Sequence, residues 1–160
     1  MSRSKYLDYN EYAMLNADAM SQQEFNLFEY DAETWIDEWT LTVDGVQKLR
    51  VAFPTDEADA MAVKRCMIAL VKACKDMADY EALSVAGQNG VVASVSSGTE
   101  SMSFVRGGSA LARAVGDDTE KQKYIRNIVR RYLAGHCDAN GVNLLYGGTY
   151  PVIQGATNVS

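Results

Sequence analysis

The sequence predicts a mainly α-helical fold: an antiparallel helical bundle with a β-hairpin or extended-loop insertion and an extended C-terminal tail. Three observations lead to this prediction. Apolar residues recur at steps of three and four in three stretches, a region rich in Gly, Ser and Val interrupts them, and Gly, Asn and Thr interrupt the end of the chain. We therefore divide the chain into a helical body, 1–135, with the insertion at about 88–109, and a tail, 136–160.

The first part of the chain contains a short lead-in helix and one longer helix. Asp8 can cap one or two turns that end at Leu15. Ser21 and Glu24 form a capping-box pattern, and the amphipathic helix behind them extends to about Thr40. The opposite side of this helix is acidic, and we expect it to be exposed to solvent. A face that lines a channel or contacts another subunit is a special case of this expectation. The acidic residues are Glu29, Glu33 and Asp37.

The segment 41–54 is ambiguous, and the longest helix of the fold is predicted directly after it. Thr55 can cap this helix, and the two acidic residues that follow it lie at the positive end of the helix dipole. The helix should extend to about Ala82. Cys66 and Cys74 lie eight residues apart in it, about 12 Å along the axis. That separation is beyond disulfide reach, so we expect small buried thiols in a reducing compartment.

The insertion shows weak strand patterns. Apolar residues alternate around Val91 to Val95 and again at Met102 and Phe104, with a turn signal between them. The outward positions are mostly Ser, which indicates a hairpin that projects from the body. Its candidate contact residues are Val95, Ser97, Gly98, Thr99 and Met102.

The last predicted helix begins at Asp117 and ends before Gly135, which is well placed as the residue after the C-cap. One side of this helix is basic in an acidic protein. The basic side either is a solvated helix surface that interacts favourably with the helix dipole, or it is a patch complementary to the acidic side of a neighbouring subunit. Its residues are Lys121, Arg126, Arg130 and Arg131.

Composition and charge exclude several functional classes. The formal net charge is −6, and the pI is about 4.7. A protein that grips DNA needs clustered Lys and Arg, so tight nucleic-acid binding is disfavoured, whereas a surface past which DNA slides is compatible. No apolar run approaches the roughly 20 residues of a membrane helix, and the first residues lack a signal-peptide pattern. We expect a soluble protein made in the cytoplasm, with no membrane partner.

The sequence contains no convincing pattern for catalysis or metal binding. His136, Cys137 and Asp138 stand together, but adjacent side chains point apart, and a nucleophilic pair or a tetrahedral metal site needs further groups. We interpret them as an ordinary turn after the helix. The predicted protein therefore has no catalytic residue, no bound metal and no cofactor.

Six segments, taken in their order along the chain, form a pattern that a known family shares. They are Tyr6-Leu7 to Glu11-Tyr12, Ser21-Gln22-Gln23-Glu24-Phe25, Ala32 with Trp35-Ile36-Asp37 and Thr40, the stretch from Val95 to Phe104, Ile125 to Gly135, and Leu144-Leu145-Tyr146-Gly147-Gly148. The arginine–tyrosine–leucine–alanine–glycine ending, followed by a leucine–tyrosine–glycine segment, is the most specific part, while the segment 41–54 has no counterpart. In this order the segments resemble the head–tail connector (adaptor) proteins of long-tailed bacteriophages.

The resemblance implies a structural role in the virion. Proteins of this family form a ring, typically of twelve subunits, that lies under the portal at the head–tail junction and extends the DNA channel. The ring binds the portal protein and a head-completion or tail-terminator protein, and DNA contacts it only in transit. The family has a helical-bundle body and neither catalytic residues nor a cofactor.

The tail contains the candidate contacts with the portal or another partner. It either packs back on the bundle or anchors on that partner, since Tyr is a frequent interface anchor. Two rival functions are a small helical binding or regulatory module outside the virion, and an enzyme. The candidate contact residues of the tail are Leu144, Leu145, Tyr146, Tyr150 and Val152.

Overall fold

A computed structural model describes residues 6–88 and 110–151 of the chain. Six α-helices and no β-strand lie in these two ranges, so the predicted helical bundle is confirmed. The predicted hairpin falls almost wholly on 89–109, outside the described residues. The helices are α1 (Tyr9–Leu15), α2 (Gln22–Trp39), α3 (Lys48–Val51), α4 (Glu57–Gln88), α5 (Ala110–Gly116) and α6 (Asp118–Leu133).

The starts of α1 and α2 agree with the predicted caps. The side chain of Asp8 accepts a hydrogen bond from the Glu11 N–H, and the Glu11 carboxylate accepts one from the Asp8 N–H. The hydroxyl of Ser21 accepts from the Glu24 N–H at 3.2 Å. Such caps satisfy N–H groups that have no partner within the helix.

Helix α4 is the centre of the bundle, with α2 and α6 packed against it. Its buried residues recur at steps of three and four, the period that keeps them on the packed side of a helix. Burial of each large side chain stabilises the fold by about 1.5–3 kcal/mol. The core includes Phe25, Ala32 and Ile36 from α2, Val63, Met67, Leu70 and Val71 from α4, and Ile125, Val129 and Leu133 from α6.

The start of α4 differs from the prediction by one residue. The expected cap was Thr55, but the helix begins at Glu57, and the Asp56 carboxylate accepts from the Asp59 N–H at 3.1 Å. Asp and Thr are both good caps, and the choice depends on which residue precedes the first helical turn.

The end of α6 also follows the sequence pattern. Asp117 accepts hydrogen bonds from the N–H groups of Thr119 and Glu120, and Gly135 adopts a φ of +82° after the helix. Helix α5 was not predicted. It packs against both α6 and α4 and buries Ala114.

The described part of the tail, 136–151, packs on the body. Leu144 and Val142 are buried, and an isolated antiparallel bridge joins Cys137 to Asn143. Of the two possibilities that the sequence left open for this segment, the described residues therefore take the one in which it folds back. No helix in 6–88 or 110–151 is long and apolar enough to cross a membrane.

Candidate interaction site

Two acidic residues of α2, Glu33 and Asp37, form a buried ionic cluster with Arg50. One guanidinium nitrogen, Nη2, lies 2.7 Å from Glu33 Oε1 and 3.0 Å from Asp37 Oδ2, and Nε donates to the same Asp37 oxygen at 3.1 Å. Glu33, Asp37 and Glu29 are all almost fully buried. The prediction that these acids form a solvated or inter-subunit face is therefore wrong.

The helical geometry explains this correction. At about 100° per residue, Glu29 lies about 40° and Glu33 about 80° from Phe25 around the α2 axis. Glu29 and Glu33 are thus beside the apolar stripe rather than opposite it, whereas Asp37, about 120° from Phe25, is covered by Arg50 and Tyr6 from other segments. Burial of carboxylates requires a cation and hydrogen bonds, and Arg50 supplies both from the segment that the sequence left unassigned.

The same cluster fixes the beginning of the described chain. The Tyr6 N–H donates to Glu33 Oε2 at 3.1 Å, and the Tyr6 hydroxyl donates to Asp37. The Arg50 guanidinium carbon lies 4.1 Å from the centre of the Tyr6 ring, which also stacks on Phe53. Burial, together with the Asp37 carboxylate, raises the pKa of the Tyr6 hydroxyl well above its ordinary value, so this group stays a donor.

Lys48 holds the C-terminal segment to the body. Its Nζ donates to the backbone carbonyls of Thr40 at 2.7 Å, Leu144 at 3.1 Å and Tyr146 at 2.5 Å. The three protons of an ammonium group match three acceptors, and the side chain is completely buried. Burial lowers the pKa of Lys48, while the charge of Asp138 acts in the opposite direction.

Lys48 and Arg50 serve two different sides of α3. Residues two apart in a helix point about 200° away from each other. This spacing lets one short helix bind the acids of α2 with Arg50 and the carbonyls of the C-terminal segment with Lys48.

Two further carboxylates hold the chain after α6. Asp138 accepts from the N–H groups of Asn140 and Val142, both at 2.9 Å, and from the Tyr150 hydroxyl at 2.7 Å. Asp44 accepts from the Tyr150 N–H at 3.2 Å. Tyr150 is therefore held by one carboxylate of the body, Asp44, and one of the tail, Asp138.

The turn containing His136 contacts α4. His136 Nδ1 lies 2.7 Å from Asp59 Oδ1, and both side chains are partly exposed. All three cysteines are free thiols, with Cys66 and Cys74 buried as expected. Among the described residues, no group of three His, Cys, Asp or Glu side chains is arranged to hold a metal ion.

A surface groove with a volume of about 560 Å³ lies between α4 and α6. Apolar side chains, among them Ile68 and Ile128, form part of its wall, and three cations and one carboxylate surround them. We call this the α4–α6 groove. Its charged residues are Arg65, Lys72, Asp76 and Arg131, and the turn after α1 contributes Leu15 and Asn16.

A smaller depression of about 290 Å³ brings together residues from two sets of predicted contacts. Trp39, Arg126, Val129, Arg130 and Leu145 line it, and we call it the Trp39 notch. Two of its N–H groups, Trp39 Nε1 and Arg126 Nε, are buried and have no hydrogen-bond partner within 6–88 and 110–151. Buried donors are normally satisfied, so this notch is suited to an acceptor such as a carbonyl or a carboxylate.

The predicted basic side of α6 is thus divided between two surfaces. Arg131 lines the α4–α6 groove, and Arg126 and Arg130 line the Trp39 notch. Lys121 is half-buried and lines neither of the two depressions. No sequence pattern indicates the notch itself, because Trp39 lies on the apolar side of the α2 pattern, where core residues are expected.

The predicted contact residues of the tail also have different environments. Leu144 is completely buried and packs in the core, so the prediction that it contacts a partner is wrong for the folded chain; its apolar neighbours, not a partner, remove it from water. Leu145 is half-buried in the notch, Tyr146 is 43% exposed, and Val152 lies outside the described residues. The hairpin residues Val95, Ser97, Gly98, Thr99 and Met102 lie outside them too.

Comparisons with protein-family models, curated proteins and solved structures gave no match to this chain.

Proposed function

We propose that this chain is a structural subunit of the adaptor ring between the portal and the tail of a tailed bacteriophage. The observation that carries the proposal is the ordered set of segments that resemble connector proteins, from Tyr6-Leu7 to Leu144-Leu145-Tyr146. The helical body and the folded C-terminal segment are compatible with it. In this role the ring extends the DNA channel and binds the portal and a head-completion or tail-terminator protein.

The Trp39 notch is the contact that we assign to the partner. It combines an apolar floor, Val129 and Leu145, with the cation Arg130 and the two buried donors of Trp39 and Arg126. A partner side chain or backbone oxygen that enters the notch would satisfy these donors. Hydrogen bonds in such a desolvated site contribute more to binding than those at an exposed rim.

The acidic balance of the chain supports the channel role. A net charge of −6 disfavours retention of the DNA phosphates as the genome passes. The hairpin region, about 88–109, and the end of the tail, including Val152, remain additional candidate contacts on sequence grounds alone.

Co-sedimentation with portal rings assembled from the portal protein of the same genome tests the proposal. The wild-type chain should bind saturably, at about one copy per portal subunit. Arg130→Glu should reduce this binding at least roughly tenfold, the effect of about 1.4 kcal/mol. Lys123→Glu, an exposed charge reversal on the same helix, is the matched control and should bind as the wild type does.

Deletion of 152–160 tests the end of the tail and keeps all of residues 6–88 and 110–151. A cut before Leu144 is unsuitable, because it would remove a core residue and two acceptors of Lys48. If the protein is absent from purified virions and does not bind portal rings at any salt concentration, the adaptor role is wrong. A binding or regulatory module outside the virion would then be the better description.

A further inference from the structure

We propose that copies of this chain assemble head to tail, with the outer face of α2 in one copy seated in the α4–α6 groove of the next. The inference deepens the proposed function and rests on it for its biological setting. It identifies the two surfaces that meet, neither of which the sequence patterns indicated.

The outer face of α2 is an exposed ridge with an acidic and apolar character. α2 buries its inner side against α4, so the opposite side points away from the bundle. On this side Leu27 is 65% exposed and Tyr30 is 61% exposed, and Asp31, Thr34 and Glu38 are exposed beside them. Leu27 and Tyr30 are three residues apart, so they are neighbours on the helix surface and form an apolar patch that another surface can cover.

The α4–α6 groove has the complementary character and length. The ridge extends from position 27 to 38, and the α4 wall of the groove extends from position 65 to 76, which is about 16 Å for each at 1.5 Å per residue. Helices pack by placing side-chain ridges of one into the grooves of another, so the exposed side chains of α2 can enter this groove. Ile68, Ala69 and Ile128 provide apolar surface for Leu27 and Tyr30.

The charges have matching spacings. Asp31 and Glu38 lie seven residues apart on the ridge, and Arg65 and Lys72 lie seven residues apart along the groove, so each pair spans about 10 Å. Arg131 adds a third cation from the α6 side. The groove is therefore locally cationic in a chain of net charge −6, which favours an acidic partner surface and disfavours other pairings.

The existing partner of Lys72 does not prevent this contact. Lys72 pairs with Asp76 one turn away at 2.8 Å, but its side chain is 71% exposed. Exposed pairs within a helix contribute little to stability, so Lys72 can exchange this partner for an acid of a neighbouring chain.

The ridge and the groove share no residue, which allows the heterologous contact that we infer: each copy uses its ridge on one neighbour and its groove on the other. Contacts of this kind produce closed rings when the rotation closes and filaments when it does not. An assembly of twelve copies needs this kind of interface and no second type.

Charge reversal of each surface provides the test, with the full chain and with analytical ultracentrifugation as the measurement. The ridge variant is Asp31→Lys with Glu38→Lys, and the groove variant is Arg65→Glu with Lys72→Glu. Each variant alone brings like charges together and should stay monomeric up to about 100 µM, where the wild type assembles. An equal mixture should assemble again, because every ridge in an alternating assembly then meets a groove of opposite charge.

The controls separate folding from assembly. Circular dichroism and thermal unfolding should give wild-type values for both variants, because the four positions are exposed. Glu81→Lys and Lys123→Glu, reversals of exposed charges elsewhere, should assemble as the wild type does. A wild-type chain that is monomeric at about 100 µM, variants that assemble alone, or a mixture that remains monomeric would each overturn the inference.

The outcome is distinguishable from that of the proposed function. Loss of portal binding with intact ridge–groove assembly would reject the adaptor role and keep this interface. If the four substitutions leave assembly unchanged and the chains still bind the portal as the wild type does, the adaptor role stands and this interface is wrong. Groove variants that lose portal binding but still assemble would show that the portal, rather than a second copy, occupies the groove.

Discussion

The acidic side of α2 and the basic side of α6 show similar patterns in the sequence but different environments in the fold. Glu33 and Asp37 are buried and bound to Arg50 of the same chain. Arg130 and Arg131 are exposed, at the edges of two different depressions. The first set therefore stabilises one subunit, and the second remains available to other chains. Charge spacing along a helix does not distinguish these cases; the position of a counter-ion elsewhere in the chain does.

The largest effect is expected from removal of Arg50. Arg50→Ala leaves Glu33 and Asp37 buried without their cation, and breaking a buried pair in this way costs about 3–5 kcal/mol. Denaturant unfolding measures the loss. The control Lys72→Ala removes one partner of an exposed pair and should cost no more than about 1 kcal/mol. Equal losses for the two variants would contradict the contrast between the buried and exposed charges.

Lys48→Met should have the next largest effect. The apolar side chain fills a similar volume but leaves the carbonyls of Thr40, Leu144 and Tyr146 without their shared donor. Unsatisfied buried acceptors cost about 1–3 kcal/mol in total stability. Hydrogen exchange should also accelerate at residues 142–146 more than in α2. Uniform acceleration of hydrogen exchange throughout the chain would show that Lys48 does not specifically hold the C-terminal segment to the body.

A glycine pair provides a smaller and cleaner contrast. Gly135→Ala should destabilise by about 1–2 kcal/mol, because Gly135 has a φ of +82° and the left-handed region is strained for other residues. Gly116→Ala should be neutral or slightly stabilising, since alanine is the better helix former. An added Cβ meets no atom within 4 Å at either position, so backbone conformation alone separates them. Thermal unfolding of the two variants measures the difference.

The smallest effect is a pH dependence at Asp44. The Thr42 hydroxyl, and then the Tyr150 N–H, hold the pKa of this carboxyl below its ordinary value of 3.8. Because the folded pKa is the lower one, the contribution is complete above pH 3.8 and is lost as the pH falls through the folded pKa. The Tyr150 amide resonance in NMR should shift in that range. In Asp44→Asn this transition should disappear, and its persistence would assign it to another group.

Most of the helical scaffold could be predicted from local signals. The caps at Asp8, Ser21 and Asp117 and the glycine at 135 mark helix ends through interactions within a few residues. The capping residue of α4 is Asp56 rather than the predicted Thr55, since both residue types are good caps. Helix α5 was not predicted, because Ala110–Gly116 is too short for apolar periodicity to identify a helix.

The candidate site could be predicted only in part, because it depends on long-range contacts. Leu145, Arg126 and Arg130 were expected to contact other chains, and the fold brings them together in one notch. The roles of Lys48 and Arg50 were missed, since their partners lie 8 to 98 residues away. One available signal was the angular position of Glu33 beside, rather than opposite, the apolar stripe of α2.

The most direct test compares Arg50→Ala with Arg130→Glu in two assays, unfolding in denaturant and binding to portal rings. Our account predicts that Arg50→Ala lowers the free energy of unfolding by about 3–5 kcal/mol. Arg130→Glu should change it by no more than about 1 kcal/mol, the scale of an unfavourable charge at a helix C-terminus, and should reduce portal binding at least roughly tenfold. An Arg130→Glu chain that binds portal rings as the wild type does would contradict the assignment of the Trp39 notch to a partner.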